Sequence, residues 1–395
     1  MNHSIRIVVP FLLLHFILLS GCLSPIAMHQ AVLSYDHTVT QVSSEQLLLN
    51  IVRARYHRPV HFTTVSSVSA TFDFRMTAGI TPPAGETRGL VAPLFSTTVA
   101  ENPTVTIIPM DGEEFEHRLL TPLEEYRFLA LLELGSDLGM ALRMMGADMR
   151  LETETGLVVL KNDPGIPHEY EEYRRRSLHL SVLHRKHQLF LESVMVEQVW
   201  EGIMEKGPSP DDVLRALDKG YRWRKTGDHR YALNKSRVLL SNYEAERRPE
   251  GRGDLFKNLL DWPPNEILVD IRPEYPGGEF AFQGRISMRS FNSVLQFLAR
   301  GMSDRPEYAV DQDLRTGPVQ VNPPHTLQIT ESDALPRDAV FSVKFNDRFY
   351  SVEETPLATG EGANWNLKAF SMLYQLFQMT QKSVLASVPS IAIAK

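Results

Sequence analysis

One cysteine occurs in the 395 residues, Cys22, so no intramolecular disulfide is available and the fold rests on packing and hydrogen bonds. No apolar run after residue 22 is long enough for a spanning helix, which needs about 20 apolar residues. Excess positive charge is missing too: net charge is −7, which excludes the electrostatic footprint of a nucleic-acid binder. No G-x-x-x-x-G-K-[ST] or G-x-G-x-x-G exists, arguing against a nucleotide, and no G-x-S-x-G or H-E-x-x-H supports hydrolysis by serine or zinc. Internal repeats and low-complexity tracts are lacking. Hydrophobic residues at 43% and charged residues at 23% are ordinary for a globular chain.

What the chain does have stands at its start. Arg6 and the amino terminus give a short positive region, Ile7 to Leu19 is an apolar run, and Ser20-Gly21 precede Cys22. The run fits a secretory signal better than a membrane span. Leu19-Ser20-Gly21-Cys22 resembles the lipobox of bacterial lipoproteins. The resemblance implies diacylglycerol on the Cys22 thiol, cleavage before Cys22 and acylation of the new amine. Several acyl chains hold a membrane durably, where one chain does so marginally. Leu23, rather than Asp, follows the cysteine, which in that family implies the outer membrane. Removal of 21 residues leaves 374, enough for two or three domains, with a net charge of −8 because Arg6 is lost.

Leu23 to Thr40 reads as a tether. Ser43-Ser44-Glu45-Gln46 predicts a capping box for a helix carrying Leu47, Leu48, Ile51 and Val52 to Tyr56. Alternation from Val68 to Met76 predicts a half-buried strand with a bulge near Ser66-Ser67. Residues 77–103, with Pro82, Pro83, Pro93 and Pro103, read as a long loop or a hairpin tip, returning in a strand at Thr104–Ile108. Leu90, Val91, Leu94, Phe95 and Val99 make that segment a candidate contact surface. Thr121-Pro122-Leu123-Glu124 predicts a second capping box, and Ser136-Asp137 opens the other arm of a helical hairpin through Met145. Leu151–Leu160 predicts a small hairpin.

Asn162 to Pro167 is the expected domain boundary. A charged helix follows from Glu169, with Glu171–Arg175 and Glu172–Arg176 pairs; it either runs past Trp200 or gives way to a strand near Gln188. Ser209-Pro210-Asp211-Asp212 caps a short helix ended by Gly220. A hairpin over Tyr221–Leu233, strands at Arg237–Tyr243, Glu266–Ile271 and Phe280–Phe282, and a helix over Met288–Arg300 follow. Leu327–Ile329 reads as a strand. Val340–Phe345 and Arg348–Val352 form a hairpin around Asn346-Asp347, Asn366–Thr380 is a helix, and Val384–Ala394 reads as an edge strand. The expected class is α+β, with at least two small mixed domains of antiparallel hairpins and packed amphipathic helices. The expected division is signal peptide 1–21, lipidated tether 22–40, an N-terminal domain 41–162, a middle helical and hairpin region 168–262, and a C-terminal region 263–395.

Three stretches are similar to a group of uncharacterised proteobacterial lipoproteins: Gln46-Leu47-Leu48-Leu49-Asn50-Ile51-Val52-Arg53-Ala54-Arg55-Tyr56 with Pro59, then Leu120-Thr121-Pro122-Leu123, and the region from Phe345 to Phe377. The resemblance implies an envelope location and the rough architecture, and carries no site.

Several residues invite chemistry. His184 and His187, with His179 one turn back, have helix-face spacing for zinc, but the pattern is better met by a solvated basic face with Arg185 and Lys186. His37, His57 and His61 cluster in sequence and read as locally bonded loop histidines. Glu124/Glu125, Glu171/Glu172 and Asp211/Asp212 sit where helix starts are expected, so capping explains them before acid–base catalysis does. Arg252-Gly253-Asp254 matches an adhesion tripeptide by chance. Tyr221-Arg222-Trp223-Arg224-Lys225 interleaves aromatic and basic residues, as a sugar-stacking strip does, or as an exposed strand with snorkelling arginines does. No catalytic residue, cofactor or metal ligand is assigned; Cys22 alone is a site. The expected role is a lipid-anchored, periplasm-facing outer-membrane lipoprotein that binds an envelope protein partner and acts as an interaction or assembly component. The alternatives are a periplasmic metal-dependent enzyme using the histidine loops and a cell-wall-binding module using 221–225.

Overall fold

The fold is that of a computed structural model, which describes residues 23–81, 92–218, 220–244, 265–303, 305–337, 339–354 and 364–381. Cys22, the signal, Arg252-Gly253-Asp254 and the edge strand expected at Val384–Ala394 lie outside them. The class is α+β. Contacts divide the described chain into two units, one of residues 23–46 with His61–Met110, the other of Leu47–Val60 with residues 111–381.

Helix α1 spans Leu23–Arg55, so the expected tether is helical. The reason is an absence: beyond Pro25, in the first turn where proline is tolerated, no Gly or Pro interrupts the chain before His57. Ser43 and Ser44 do not cap. Their hydroxyls donate back to the carbonyls of Val39 (2.8 Å) and Thr40 (2.9 Å), the mid-helix use of serine.

In the first unit, β1 (Phe62–Thr81) and β2 (Ala92–Met110) form an antiparallel ribbon far longer than an ordinary strand pair. The expected bulge is present between Val65 and Ser67. Of the two readings of residues 77–103, the hairpin is realised: 77–81 and 92–103 are paired strand. Pro93 and Pro103 are compatible because each strand of a two-stranded ribbon is an edge. Gln46 clamps the ribbon base: its Oε1 accepts from the Thr63 N–H at 3.2 Å, and its Nε2 donates to the Thr63 hydroxyl.

In the second unit the chain runs through α2 (Glu113–Leu120), α3 (Glu125–Glu133), α4 (Leu138–Met145), β3 (Gly146–Thr153) and β4 (Gly156–Lys161). It continues through α5 (Pro167–Arg185), β5 (Phe190–Ile203), α6 (Pro210–Asp218), β6 (Tyr221–Gly227) and β7 (Arg230–Ser241). Next come β8 (Glu266–Ile271), β9 (Phe282–Met288) and α7 (Phe291–Arg300). The last elements are β10 (Thr330–Ser332), β11 (Ala339–Phe345), β12 (Arg348–Glu353) and α8 (Trp365–Thr380). The main sheet has the order β4-β3-β9-β8-β7-β5, with β6 also on β7, and β7–β8 is parallel. A three-stranded sheet has the order β10-β12-β11.

The main sheet takes strands from both sides of the expected boundary, from the stretches 41–162, 168–262 and 263–395 alike. The expected boundary at 163–168 lies inside this unit. Asn162 is buried, its side-chain amide donating to the carbonyls of Arg143 and Gly146, both at 2.9 Å, and Asp163 pairs with Arg300 at 3.2 Å. The turn chemistry there serves a tight strand-to-helix connection, not a linker.

The Thr121 capping box is also unused. The Thr121 N–H closes α2 by donating to the His117 carbonyl at 2.8 Å, and the Leu123 N–H donates to Arg289 O at 2.9 Å, so the chain is extended there and α3 starts at Glu125. Of the alternatives beyond Gln188, the strand is realised as β5. The strand expected at Leu327–Ile329 falls instead at Thr330–Ser332, and Phe280 closes a 3-10 turn ahead of β9. The separate strand expected at Arg237–Tyr243 is continuous with the second hairpin arm as β7, and the helix expected from Met288 starts at Phe291, Met288 ending β9. Other local signals hold. Asp137 caps α4 by accepting from the Met140 N–H at 2.8 Å, Ser290 caps α7, and Asn346 and Asp347 both take the left-handed conformation of a two-residue hairpin turn.

Candidate functional site

A buried arginine cluster lies in the interior of the second unit. Arg174 on α5 is fully buried, and Arg143 on α4 nearly so. Both converge on Glu307, with Oε1 at 3.5 Å from Arg143 Nη2 and 3.6 Å from Arg174 Nη1. The carboxylate also accepts from the Thr326 N–H (2.6 Å), the Thr326 hydroxyl (2.8 Å) and the Tyr170 hydroxyl (3.3 Å). Burial alone would raise the Glu307 carboxyl, but the two guanidinium groups and Thr326 outweigh it and hold the group below its usual range. Arg143 donates further to the carbonyls of Pro323 (2.9 Å) and Pro324 (3.0 Å), and Arg174 to the Asn322 side chain at 3.0 Å.

The role of this cluster follows from what it holds. Residues 305–329 have little regular structure, so their carbonyls need partners from side chains. An arginine with five donors suits prolines, which offer carbonyls and no N–H. Arg289 works likewise on the carbonyls of Arg143 (2.9 Å), Met144 (3.1 Å) and Asn162 (2.6 Å), its guanidinium stacked 3.8 Å from the Phe297 ring. Burial pushes Arg143 and Arg289 down to about 10, so both stay cationic at neutral pH. The cluster is a scaffold and offers no reacting group to solvent.

The β8 strand carries a second set. Glu266 binds Arg150 (2.8 Å) and Arg285 (3.3 Å), and Asp270 binds Arg272 (3.1 Å) and Gln283 (2.9 Å), with the Tyr243 hydroxyl donating to it. Both acids are buried. Neither cluster was singled out from sequence; the signal available was charge within an otherwise apolar stretch, Arg143 alone in Leu138–Met145 and Glu266 with Asp270 in Glu266–Ile271.

The sequence candidates fall as follows. His187 does not continue the helix face of His184, and His57 lies in the turn before Pro59: each sits just past a helix in the left-handed conformation, φ 56° and 55°. Gln188 N–H donates to Leu183 O and Arg58 N–H to Arg53 O, both at 2.8 Å, so each histidine occupies the position where glycine ends helices. His179 is buried and bonded at both nitrogens, to Gly277 O at 2.9 Å and the Thr316 hydroxyl at 3.2 Å; burial lowers it despite the Gly277 bond. His184 is half-buried, and burial lowers it too. His37 and His61 are exposed. Among the described residues, no group of three or more His, Cys, Asp or Glu is placed to hold a metal ion. Glu124 flanks the start of α3, whereas Glu125 is buried against Arg237 at 3.2 Å. Burial raises Glu125 to about 7, against the pull of Arg237 and the Val238 N–H. Glu171 and Glu172 pair with Arg175 at 3.1 and 2.7 Å, and Glu172 also with Arg176.

Tyr221–Lys225 is the sequence candidate that lines an open concavity. Ser209 Oγ accepts from the Asp212 N–H at 3.2 Å while Asp212 accepts from the Ser209 hydroxyl at 2.7 Å, a reciprocal cap that fixes the start of α6. The Trp223 indole N–H donates to Asp212 O at 3.3 Å, tying β6 to that helix. Between them lies a groove of about 350 Å³ lined by Pro208, Val213, Leu217, Arg222, Trp223, Lys225 and Tyr231. Register places Trp223, Leu233 and Trp200 in one row across β6, β7 and β5, and the two indoles meet edge to face at 5.6 Å. Beside the groove, Trp200, Leu214 and Leu217 are 42%, 60% and 49% exposed. Gly207 lies close against Tyr231: a Cβ there would lie 2.8 Å from the Tyr231 hydroxyl. A wider groove of about 520 Å³ lies along Val182, Arg185, Lys186, Pro318 and Gln320.

No described helix is long and apolar enough to cross a membrane. Comparisons with protein-family models, with curated proteins and with solved structures find no match to this chain.

Proposed function

We propose that this chain is a lipid-anchored, periplasm-facing outer-membrane lipoprotein that works as an interaction component of a cell-envelope complex, with the groove between α6 and β6 as its recognition surface. The anchor reading is supported by Leu19-Ser20-Gly21-Cys22 directly after an apolar signal region, with Cys22 the sole cysteine. Helix α1 starts immediately after it and leaves Met28, Val32 and Leu33 more than half exposed, at 57%, 60% and 56%, apolar groups that suit a position against a lipid surface.

The observation that carries the interaction role is the exposed apolar face of Trp200, Leu214 and Leu217 around a groove holding one indole, one phenol and two cations. Exposed aromatic anchors beside a concavity are what hot spots are built from. The test joins both parts. Cys22→Ser is expected to abolish palmitate labelling and leave the signal uncut. A photo-crosslinker at Leu217 is expected to trap the same envelope protein repeatedly, while one at Lys344, on β11, traps none. Labelled palmitate in Cys22→Ser overturns the anchor, and identical products from both positions overturn the groove.

A second reading is favoured by Trp223 and Tyr231, which line the same groove. Aromatic faces flanked by Arg222 and Lys225 suit a glycan carrying carboxylates, as the bacterial cell wall does. Retention of the purified protein on isolated sacculi, lost in Trp223→Ala, supports this reading over a protein partner.

A further inference from the structure

The β1–β2 ribbon sorts its residues with unusual cleanness. From the register, one face carries the pairs Val68/Val105, Ala70/Pro103, Phe72/Glu101, Phe74/Val99, Met76/Thr97, Ala78/Phe95 and Ile80/Pro93. The other carries Ser69/Thr104, Thr71/Asn102, Asp73/Ala100, Arg75/Thr98, Thr77/Ser96, Gly79/Leu94 and Thr81/Ala92. One set of rows is apolar apart from Glu101 and Thr97; the other is polar or small, with Leu94 the exception. Such a dyad pattern is the signature of a strand with lipid on one side and water on the other.

Length agrees with this. Beyond the Glu101 row, β1 runs from Asp73 to Thr81, nine residues, and a tilted membrane strand needs about 9–11. The Glu101 row then falls at the headgroup boundary, where an acid costs little, and Asp73 and Arg75 fall on the polar face. An isolated two-stranded ribbon is marginal in water, and among the described residues β1 and β2 pair only with each other. In hydrocarbon an open strand edge is excluded, because unpaired backbone groups there cost several kcal/mol each; only closure removes the edges.

We propose that the β1–β2 ribbons of several copies of this chain join edge to edge into a transmembrane β-barrel, apolar face to lipid and polar face to a water-filled lumen. Membrane barrels begin at about eight strands, so at least about four copies are required. The inference relies on the Cys22 anchor only for delivery to the outer membrane and is independent of the α6–β6 groove.

The experiment uses the full chain purified in detergent and reconstituted into vesicles of phosphatidylethanolamine and phosphatidylglycerol. Single cysteines at positions 72 to 77, introduced in the Cys22→Ser background and carrying an environment-sensitive dye, are expected to alternate between lipid-like and water-like emission with a period of two. Vesicles bearing the wild-type chain are expected to leak a trapped dye, and the chain to run as a heat-sensitive oligomer. Phe74→Asp is expected to cut leakage by roughly tenfold or more, whereas Arg75→Glu keeps leakage and shifts ion selectivity toward cations. Uniform emission along 72–77, or leakage no greater than from protein-free vesicles, overturns the barrel. The dye scan does not depend on the folding of Phe74→Asp, and it is made in chains that lack the lipidated cysteine. Alternation there together with failed palmitate labelling of the wild-type chain would remove the anchor and leave the barrel standing; labelling without alternation would do the reverse.

Discussion

Glu307 is a single carboxylate asked to answer two buried guanidinium groups, and that imbalance makes it sensitive to substitution. Removing one partner from a buried ion pair leaves uncompensated charge and costs about 3–5 kcal/mol. Glu307→Gln keeps the shape and the bond from Thr326 but loses the charge, so it is expected to lower stability by about that amount at neutral pH. The pH dependence has a definite sign. The folded group titrates below its ordinary value, so its contribution is complete above about 4.3, the unfolded value, and is lost as pH falls through the folded one. Denaturant melts of wild type and Glu307→Gln are therefore expected to converge on acidification. A gap that stays constant below the ordinary glutamate value would show that the charge is not what stabilises the cluster.

Helix ends explain the conformation of two of the histidine candidates. A spacing of three residues between His184 and His187 reads as one face only if the helix continues past His187. The helix stops at Arg185, and His187 takes the left-handed turn that an L residue adopts at a cost of about 1–2 kcal/mol. His57 does the same after α1. His187→Gly is thus expected to stabilise the protein by about 1 kcal/mol, part of the gain being offset by the freer unfolded chain, and to leave any zinc affinity of the chain unchanged. A loss of stability, or a loss of bound zinc, would return His187 to the list of ligands. The same scale shows what local pattern could and could not reveal. The caps at Asp137 and Ser209, the turn at Asn346-Asp347 and the hairpin over Tyr221–Leu233 were legible because their chemistry is complete within four or five residues. The capping boxes at Ser43 and Thr121 misled for a physical reason: nothing stops α1 before Ser43, and the Leu123 N–H is taken by Arg289, far away in sequence. The Tyr221–Lys225 strip was legible as a candidate; that Leu217, Val213 and Tyr231 complete its groove depends on how α6 packs on β6, which no short pattern encodes.

At the scale of the whole chain, the α+β class followed from many local signals, but the division into bodies did not, because strand order is a long-range property. β3 has β4 on one side and β9 on the other, joining Gly146 to Met288, while β8 sits between β9 and β7. Asn162 to Pro167 looks like a linker since Pro and Gly punctuate it, and only its buried contacts reveal that it is a turn within one unit. The two pictures differ in a measurable way. Were 263–395 a separate body, residues 23–262 would keep a folded 41–162 domain. In the observed topology that truncation removes β8 and β9 from the middle of the main sheet, strips β3 of an inner neighbour, and takes Glu307 and the carbonyls of Pro323 and Pro324 away from Arg143 and Arg174. Two buried cations without a counter-charge, beside an opened sheet core, cost more than the typical margin of about 5–15 kcal/mol that a domain has. The 23–262 fragment is therefore expected to show no cooperative melt and to bind a hydrophobic dye, while the full-length protein resists proteolysis at 163–168. A cooperative transition in the fragment, or a first cut within 163–168 that releases two folded halves, would mean that the chain is built from separate bodies after all.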